Sequence, residues 1–205
     1  MNVRTLLRAV PTALFAAGLL SGCGSEKPIT REYLDPQTAV TVRTVATPYI
    51  FAHEVPELAA NVRDYLSVGA VELNNMGGRT HYLALIVWST VDRERVGVPQ
   101  PALPEGLRIT IGSQVRELTA ATHEPRSIGI GAPVFRPPTG YRGESWYAVT
   151  PADLRALVTT PPATLELLDD QHPATYALWR DAAAALADFV RDIPDTITPE
   201  NKRPR

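Results

Sequence analysis

The chain of 205 residues is poor in cysteine and lysine: it has one cysteine, Cys23, and two lysines, Lys27 and Lys202. A single thiol makes no disulfide framework, and a domain of this length stands on its core without one. Positive charge is left to scattered arginines with a net charge of −2, so neither a polybasic membrane patch nor an electrostatic footprint for nucleic acid is present. The sequence also lacks a long apolar run. Ala9 to Leu20 is apolar apart from Pro11 and Thr12, which is short of the roughly 20 residues needed to cross about 30 Å of hydrocarbon. There is no Walker loop, no G-x-G-x-x-G and no G-x-S-x-G elbow. Gly143-Glu144-Ser145-Trp146-Tyr147 lacks the closing glycine and precedes a predicted strand where an elbow must follow one.

What is present begins at the N-terminus. Arg4 and Arg8 precede the apolar run in the layout of a secretory signal. The run ends in Leu20-Ser21-Gly22-Cys23, which resembles the lipobox of bacterial lipoproteins over these first 23 residues. The resemblance implies cleavage before Cys23, a diacylglycerol thioether on its sulfur and a further acyl chain on its amine. Burial of acyl chains is worth about 0.8 kcal/mol per CH2, so two or three chains hold firmly where one does not. Gly24 stands where an Asp would favour inner-membrane retention in the enteric pattern. The resemblance therefore points to the periplasmic face of an outer membrane, or to the outer face of the plasma membrane in a cell with only one.

Residues 1–22 are read as the signal and 23–30 as the lipidated end with a short polar linker. Residues 31–193 form one domain, and 194–205 a polar tail. Without residues 1–22, which hold two arginines and no acid, 18 basic groups face 22 acidic ones, a charge of −4. The ten steps from Cys23 to Tyr33 span at most roughly 35 Å, which keeps the domain close to the membrane.

Within the domain the β signal dominates. Arg31 to Leu34 and Ala39 to Phe51 read as strands around an Asp35-Pro36 turn, with Pro48 dividing the second. Val55 to Val62 is a short helix or a loop. Tyr65 to Leu73 and Thr80 to Val91, separated by Asn74-Asn75-Met76-Gly77-Gly78, read as a hairpin. Both faces of Tyr82 to Trp88 are apolar, the mark of a strand covered on both sides. Leu107 to Ile111 and Gln114 to Thr119 form a second hairpin, and Ser127 to Phe135, Ser145 to Val149 and Thr164 to Leu168 are further strands. Thr150, Pro151 and Asp153 open a short helix with a capping box. Pro173 to Ile193 reads as one amphipathic helix, because Tyr176, Trp179, Ala183, Leu186 and Val190 recur at spacings of three and four. The expected fold is a mainly antiparallel β-sandwich, immunoglobulin-like in outline, with a crossover helix and a C-terminal helix packed on it.

No residue set announces a reaction. His53, His81, His123 and His172 are scattered without ligand spacing, and Asp169-Asp170-Gln171-His172 suits a turn before a helix better than a metal site. Trp88, Trp146 and Trp179 are assigned to the core. The best binding candidates lie in the irregular segment 136–144, where Tyr141 sits with Arg136 and Arg142. The expectation is a non-enzymatic envelope lipoprotein that needs neither metal nor cofactor. It meets the membrane through Cys23 and an envelope protein through its surface, and does not bind nucleic acid. Two alternatives are a small-ligand or glycan binder using the loops, and an outer-membrane lipoprotein subunit of a secretion apparatus. The latter is an analogy to the small sandwich lipoproteins of type VI secretion, made on architecture alone.

Overall fold

The computed structural model describes residues 29–59, 61–95, 97, 103–111, 113–168 and 174–194. Leu20, Ser21, Gly22 and Cys23, the cluster at 169–172 and the tail from 195 lie outside the described residues. The strands are β1 (Thr30–Leu34), β2 (Thr41–Val45), β3 (Tyr49–Glu54), β4 (Arg63–Asn75), β5 (Gly78–Ser89), β6 (Gly106–Ile111), β7 (Gln114–Thr122), β8 (Tyr141–Ala148), β9 (Thr164–Leu168) and β10 (Ala174–Arg180). Two helices, α1 (Pro151–Thr159) and α2 (Ala183–Arg191), accompany them.

The chain is mainly β, as expected, but it is not a sandwich. The strands run in the order β4-β3-β10-β9-β6-β7-β8-β5, and β5 pairs back onto β4, so eight antiparallel strands close into a barrel. Closure removes the sheet edges that a sandwich leaves open. With the sandwich goes the basis of the secretion-apparatus analogy. The inner wall is apolar: Leu66, Val68, Leu83, Leu85, Leu107 and Tyr147 belong to one buried cluster. The outer wall carries charged pairs such as Arg108 with Glu117 and Glu166. This polarity is the reverse of a bilayer-spanning barrel, whose outside is apolar.

The β4–β5 hairpin organises the rest. Its turn has two residues, Met76 and Gly77, both at positive φ (51° and 94°), the signature of a turn whose twist matches that of the strands it joins. β4 is 13 residues long and divides its free edge. Arg63 to Val68 pair with β3, while Val71 to Asn74 pair with β2. The β1–β2 ribbon therefore continues off the barrel along β4. A second, smaller core forms there on the outer face, from Val42, Val71, Leu73, Ala84 and Trp146 with the Ile130 and Val134 segment. This explains why both faces of β5 are apolar. Gly69 is required at the same place: a Cβ on it would lie 2.3 Å from the Phe135 ring. The segment from Ser127 to Phe135, expected as a strand, is instead a 3-10 turn (Pro125–Ile128) followed by irregular chain.

Asp35 holds that segment in place. Its carboxylate accepts from the backbone N–H of Gln37 (2.8 Å), Thr38 (3.3 Å), Gly131 (2.7 Å) and Ala132 (3.0 Å). Burial alone would raise this carboxyl, but the backbone donors together outweigh burial and hold it below its ordinary value.

The largest local departure is at residues 173–193. The expected single helix is two elements, β10 and α2. Residues 174–180 are the only strand between β3 and β9, and they pair with both. Two flanking ladders outweigh a helical periodicity. Trp179 falls at an irregularity in the β3 pairing, between Leu178 and Arg180, and points outward at 56% exposure. α1 has the expected capping box, with Thr150 and Asp153 each accepting from the other's backbone N–H. α1 and α2 pack on the barrel through Leu154, Leu157, Leu186 and Phe189.

Candidate functional site

An eight-stranded barrel is just wide enough for side chains to fill it, and this one is filled. The space left inside, lined by Tyr49, Phe51, Val68, Leu83 and Leu165, amounts to about 20 Å³. That is room for about one water molecule and far below the hundreds of Å³ of a small-molecule pocket.

The mouth next to the ribbon is polar. Glu32, Arg43, Glu72 and His81 lie opposite one another in a single row across β1, β2, β4 and β5. Glu32, Arg43 and Glu72 line a cleft of about 200 Å³ together with Arg79 and Asp192. Glu72 accepts from His81 Nε2 (3.0 Å) and pairs with Arg79 (3.3 Å), and Arg43 donates to Asp192 (2.9 Å) and to the Phe189 carbonyl (2.7 Å). Burial would raise the Glu72 carboxyl, but the His81 hydrogen bond and the charges of Arg79, His81 and Arg43 bring it below its ordinary value. Such a group binds its proton less readily folded than unfolded. Its stabilisation is full above the ordinary carboxylate range, near 4.3 for Glu, and is lost as pH falls through the lower folded value. Urea midpoints measured between about pH 5.5 and 2 should therefore fall less steeply in Glu72→Gln than in the parent, with a residual slope from Asp35. Parallel curves would mean that Glu72 does not titrate as its surroundings require.

A carboxylate, an imidazole and a hydroxyl line up between β6, β7 and β8. Glu105 Oε1 lies 2.9 Å from His123 Nε2, and His123 Nδ1 lies 2.9 Å from Ser145 Oγ. Sequence spacing gave no hint of this, because the three come from different elements. The order of exposure, however, is inverted for nucleophilic catalysis. Ser145 is fully buried, His123 is partly exposed, and the carboxylate is the solvent end of the chain. A nucleophile must be open to its substrate. What the chain does is staple: with Tyr147 Oη donating to the Pro104 carbonyl (2.8 Å), it ties residues 104 and 105 to β7 and β8.

The outer wall of β4, β5 and β8 carries an aromatic row that runs from buried Tyr65 through partly buried Trp88 to exposed Tyr141. Tyr65, Trp88 and Tyr141 are directly opposite one another, with Tyr65 and Trp88 stacked at 4.2 Å between centroids. Trp179 meets Tyr65 edge-on at 6.2 Å, and the Arg63 guanidinium lies 5.0 Å over the Trp179 ring. The Trp88 indole N–H donates to Ser67 Oγ (3.0 Å). In the next row along the same face stand Ser67, Ile86 and Glu144.

The binding candidates expected from sequence are not brought together as a loop. Tyr141 and Arg142 open β8, and Tyr141 is 41% exposed within the aromatic row. Arg142 is engaged, donating to the Val91 carbonyl at 2.6 Å. Arg136 is exposed on the irregular segment before β8. Of the three tryptophans placed in the core, Trp146 is fully buried and belongs there, Trp88 is partly buried, and Trp179 is on the surface. Sequence reasoning missed Tyr65, Arg63 and Glu144. One signal was available: the two-residue turn at Met76-Gly77 fixes Tyr65 opposite Trp88.

The chain is thus a closed, side-chain-filled antiparallel barrel with an attached ribbon and an aromatic outer wall. Comparison with family models, with curated proteins and with solved structures finds nothing that matches it.

Proposed function

We propose that this is a lipid-anchored, non-enzymatic protein of the cell envelope, held through Cys23 on the periplasmic side of the outer membrane. It acts as an interaction or accessory subunit and docks an envelope protein on the wall formed by Tyr65, Trp88, Tyr141 and Trp179. The observation that carries this reading is the pairing of a filled interior with exposed Tyr141 and Trp179 on the outer wall, beside partly buried Trp88 and Arg63 and over buried Tyr65. Trp, Tyr and Arg are the residues in which protein-interface energy concentrates, and clusters of exposed apolar side chains are the exception on a monomer's surface. The filled barrel supports a surface role over an internal ligand, and the inverted exposure of the Glu105–His123–Ser145 chain supports a non-enzymatic one. The lipobox resemblance supports the anchor.

A photoreactive amino acid placed at Tyr141 or Trp179 in intact cells should yield a discrete adduct, and one placed at the exposed Val115 of β7 should not. Cys23→Ser should lose both membrane retention and the adduct. If the wall positions give no adduct, docking there is wrong. If Cys23→Ser is processed and retained like the parent, the anchor is wrong.

A further inference from the structure

Glu144 is out of place among the charges of this protein. It sits on the outer wall opposite Ile86, one row from Trp88 and Tyr141 on the same face, and is partly buried. Among the described residues every other partly or fully buried acid is matched. Asp64 has Arg93, Glu72 has His81 and Arg79, Asp153 has Arg116, Glu166 has Arg108, Asp188 has Arg191, and Asp35 has its backbone donors. No described cation pairs with Glu144. A carboxylate taken from water without a counter-charge is costly, and the wall holds this cost at the place where the aromatics are exposed.

We infer that Glu144, in the row next to Trp88 and Tyr141, is the seat for a lysine or arginine side chain of the docked partner. The inference rests on the docking reading above and names the chemistry of the partner's contact. Diagonal neighbours on adjacent strands lie within reach of long and aromatic side chains, so one cation can face the ring of Trp88 or Tyr141 while pairing with the carboxylate. Burial pushes the Glu144 carboxyl above its ordinary range, and the Trp146 side chain lowers it only in part. The Tyr141 hydroxyl is raised by burial and then by the charge of Glu144, which places the two groups near each other. A cation on the seat supplies the charge that is missing, whereas a neutral ligand does not.

The test uses the full-length protein in non-ionic micelles with 15N-labelled tryptophan, in which each of the three indoles gives one signal. The probes are N-acetyl-lysine and N-acetyl-arginine methylamides, with N-acetyl-glutamine methylamide as the neutral control. The Trp88 and Trp146 signals should move saturably with the cationic probes only, and the response should weaken in 0.5 M salt, a concentration chosen to screen exposed charge at about 4 Å. Glu144→Gln should weaken binding by about ten-fold or more, as loss of a charge-assisted contact does, and Tyr141→Ala by less. Urea midpoints close to the parent's, as exposed-site changes leave them, will show that the variants fold. An equal response in Glu144→Gln, or no response in the parent, overturns the seat. A response to an uncharged N-acetylglucosamine oligomer in place of the cations overturns it too, and assigns the wall to a glycan. Crosslinks at Tyr141 and Trp179 without a cation response would leave docking intact and remove the seat. A cation response without crosslinks would do the opposite.

Discussion

Replacing Arg93 by alanine is expected to lower the free energy of unfolding by about 3–5 kcal/mol, because it strands a buried carboxylate. Asp64 faces into the barrel at the end away from the polar mouth, directly opposite the buried Ser89, and its ion pair with Arg93 closes that end. Both side chains are close to fully buried. The pairing rests on one contact, since Asp64 Oδ1 and Arg93 Nε are buried without hydrogen-bond partners. Tyr176 stands beside the pair, its hydroxyl raised by burial and by Asp64. Such a pair is expensive to break and of little net worth to have. The double variant Asp64→Leu with Arg93→Met should accordingly recover most of what Arg93→Ala loses. Urea unfolding of the parent, the single variants and the double variant measures this directly. A single variant within about 1 kcal/mol of the parent, the range of an exposed ion pair, would show that this end of the barrel is wet.

Phe189→Ala is expected to cost a similar amount, about 3–5 kcal/mol, by opening a cavity between α2 and the barrel. The Phe189 ring is almost completely buried, and the Arg43 guanidinium lies 4.7 Å over it. α2 has nine residues, too few to persist as an isolated helix, so it exists because this face is covered. Phe189→Leu keeps most of the volume and should cost less than about 1.5 kcal/mol. If Phe189→Ala unfolds at the parent's urea midpoint, α2 is a dispensable appendage and the hydrophobic core ends at the barrel wall.

The elements most easily read from sequence are those whose cause is local. The β4–β5 hairpin follows from β-branched runs around Gly and Asn, and α1 from Thr150, Pro151 and Asp153. Their types do not depend on the rest of the chain. Barrel and sandwich, by contrast, share the same alternation along each strand, and the difference is which strands meet last. Here that is decided by β10, and the segment holding β10 has its apolar residues at helical spacing. Tyr176 and Leu178 satisfy a strand's period of two equally well, and no local feature separates the two readings. The sites divide in the same way. Tyr141 is legible as an exposed aromatic near a turn. Glu144 gains its meaning from the lack of a paired cation among the described residues, which only the fold reveals. Ser145 meets His123 and Glu105 through three separate elements. Trp179 was misplaced because a ladder irregularity turned it outward.

The position of β10 also bears on how the protein is made. Among the described residues the edges of β3 and β9 are joined only by residues 174–180, which follow every other stave in the chain, so the barrel cannot close while those residues are still inside the ribosome. Until then the chain has open strand edges and an uncovered apolar lining, a state that binding partners of unfolded chains can hold. A fragment ending before Ala174 should remain open, and the missing strand supplied as a separate peptide would complete it.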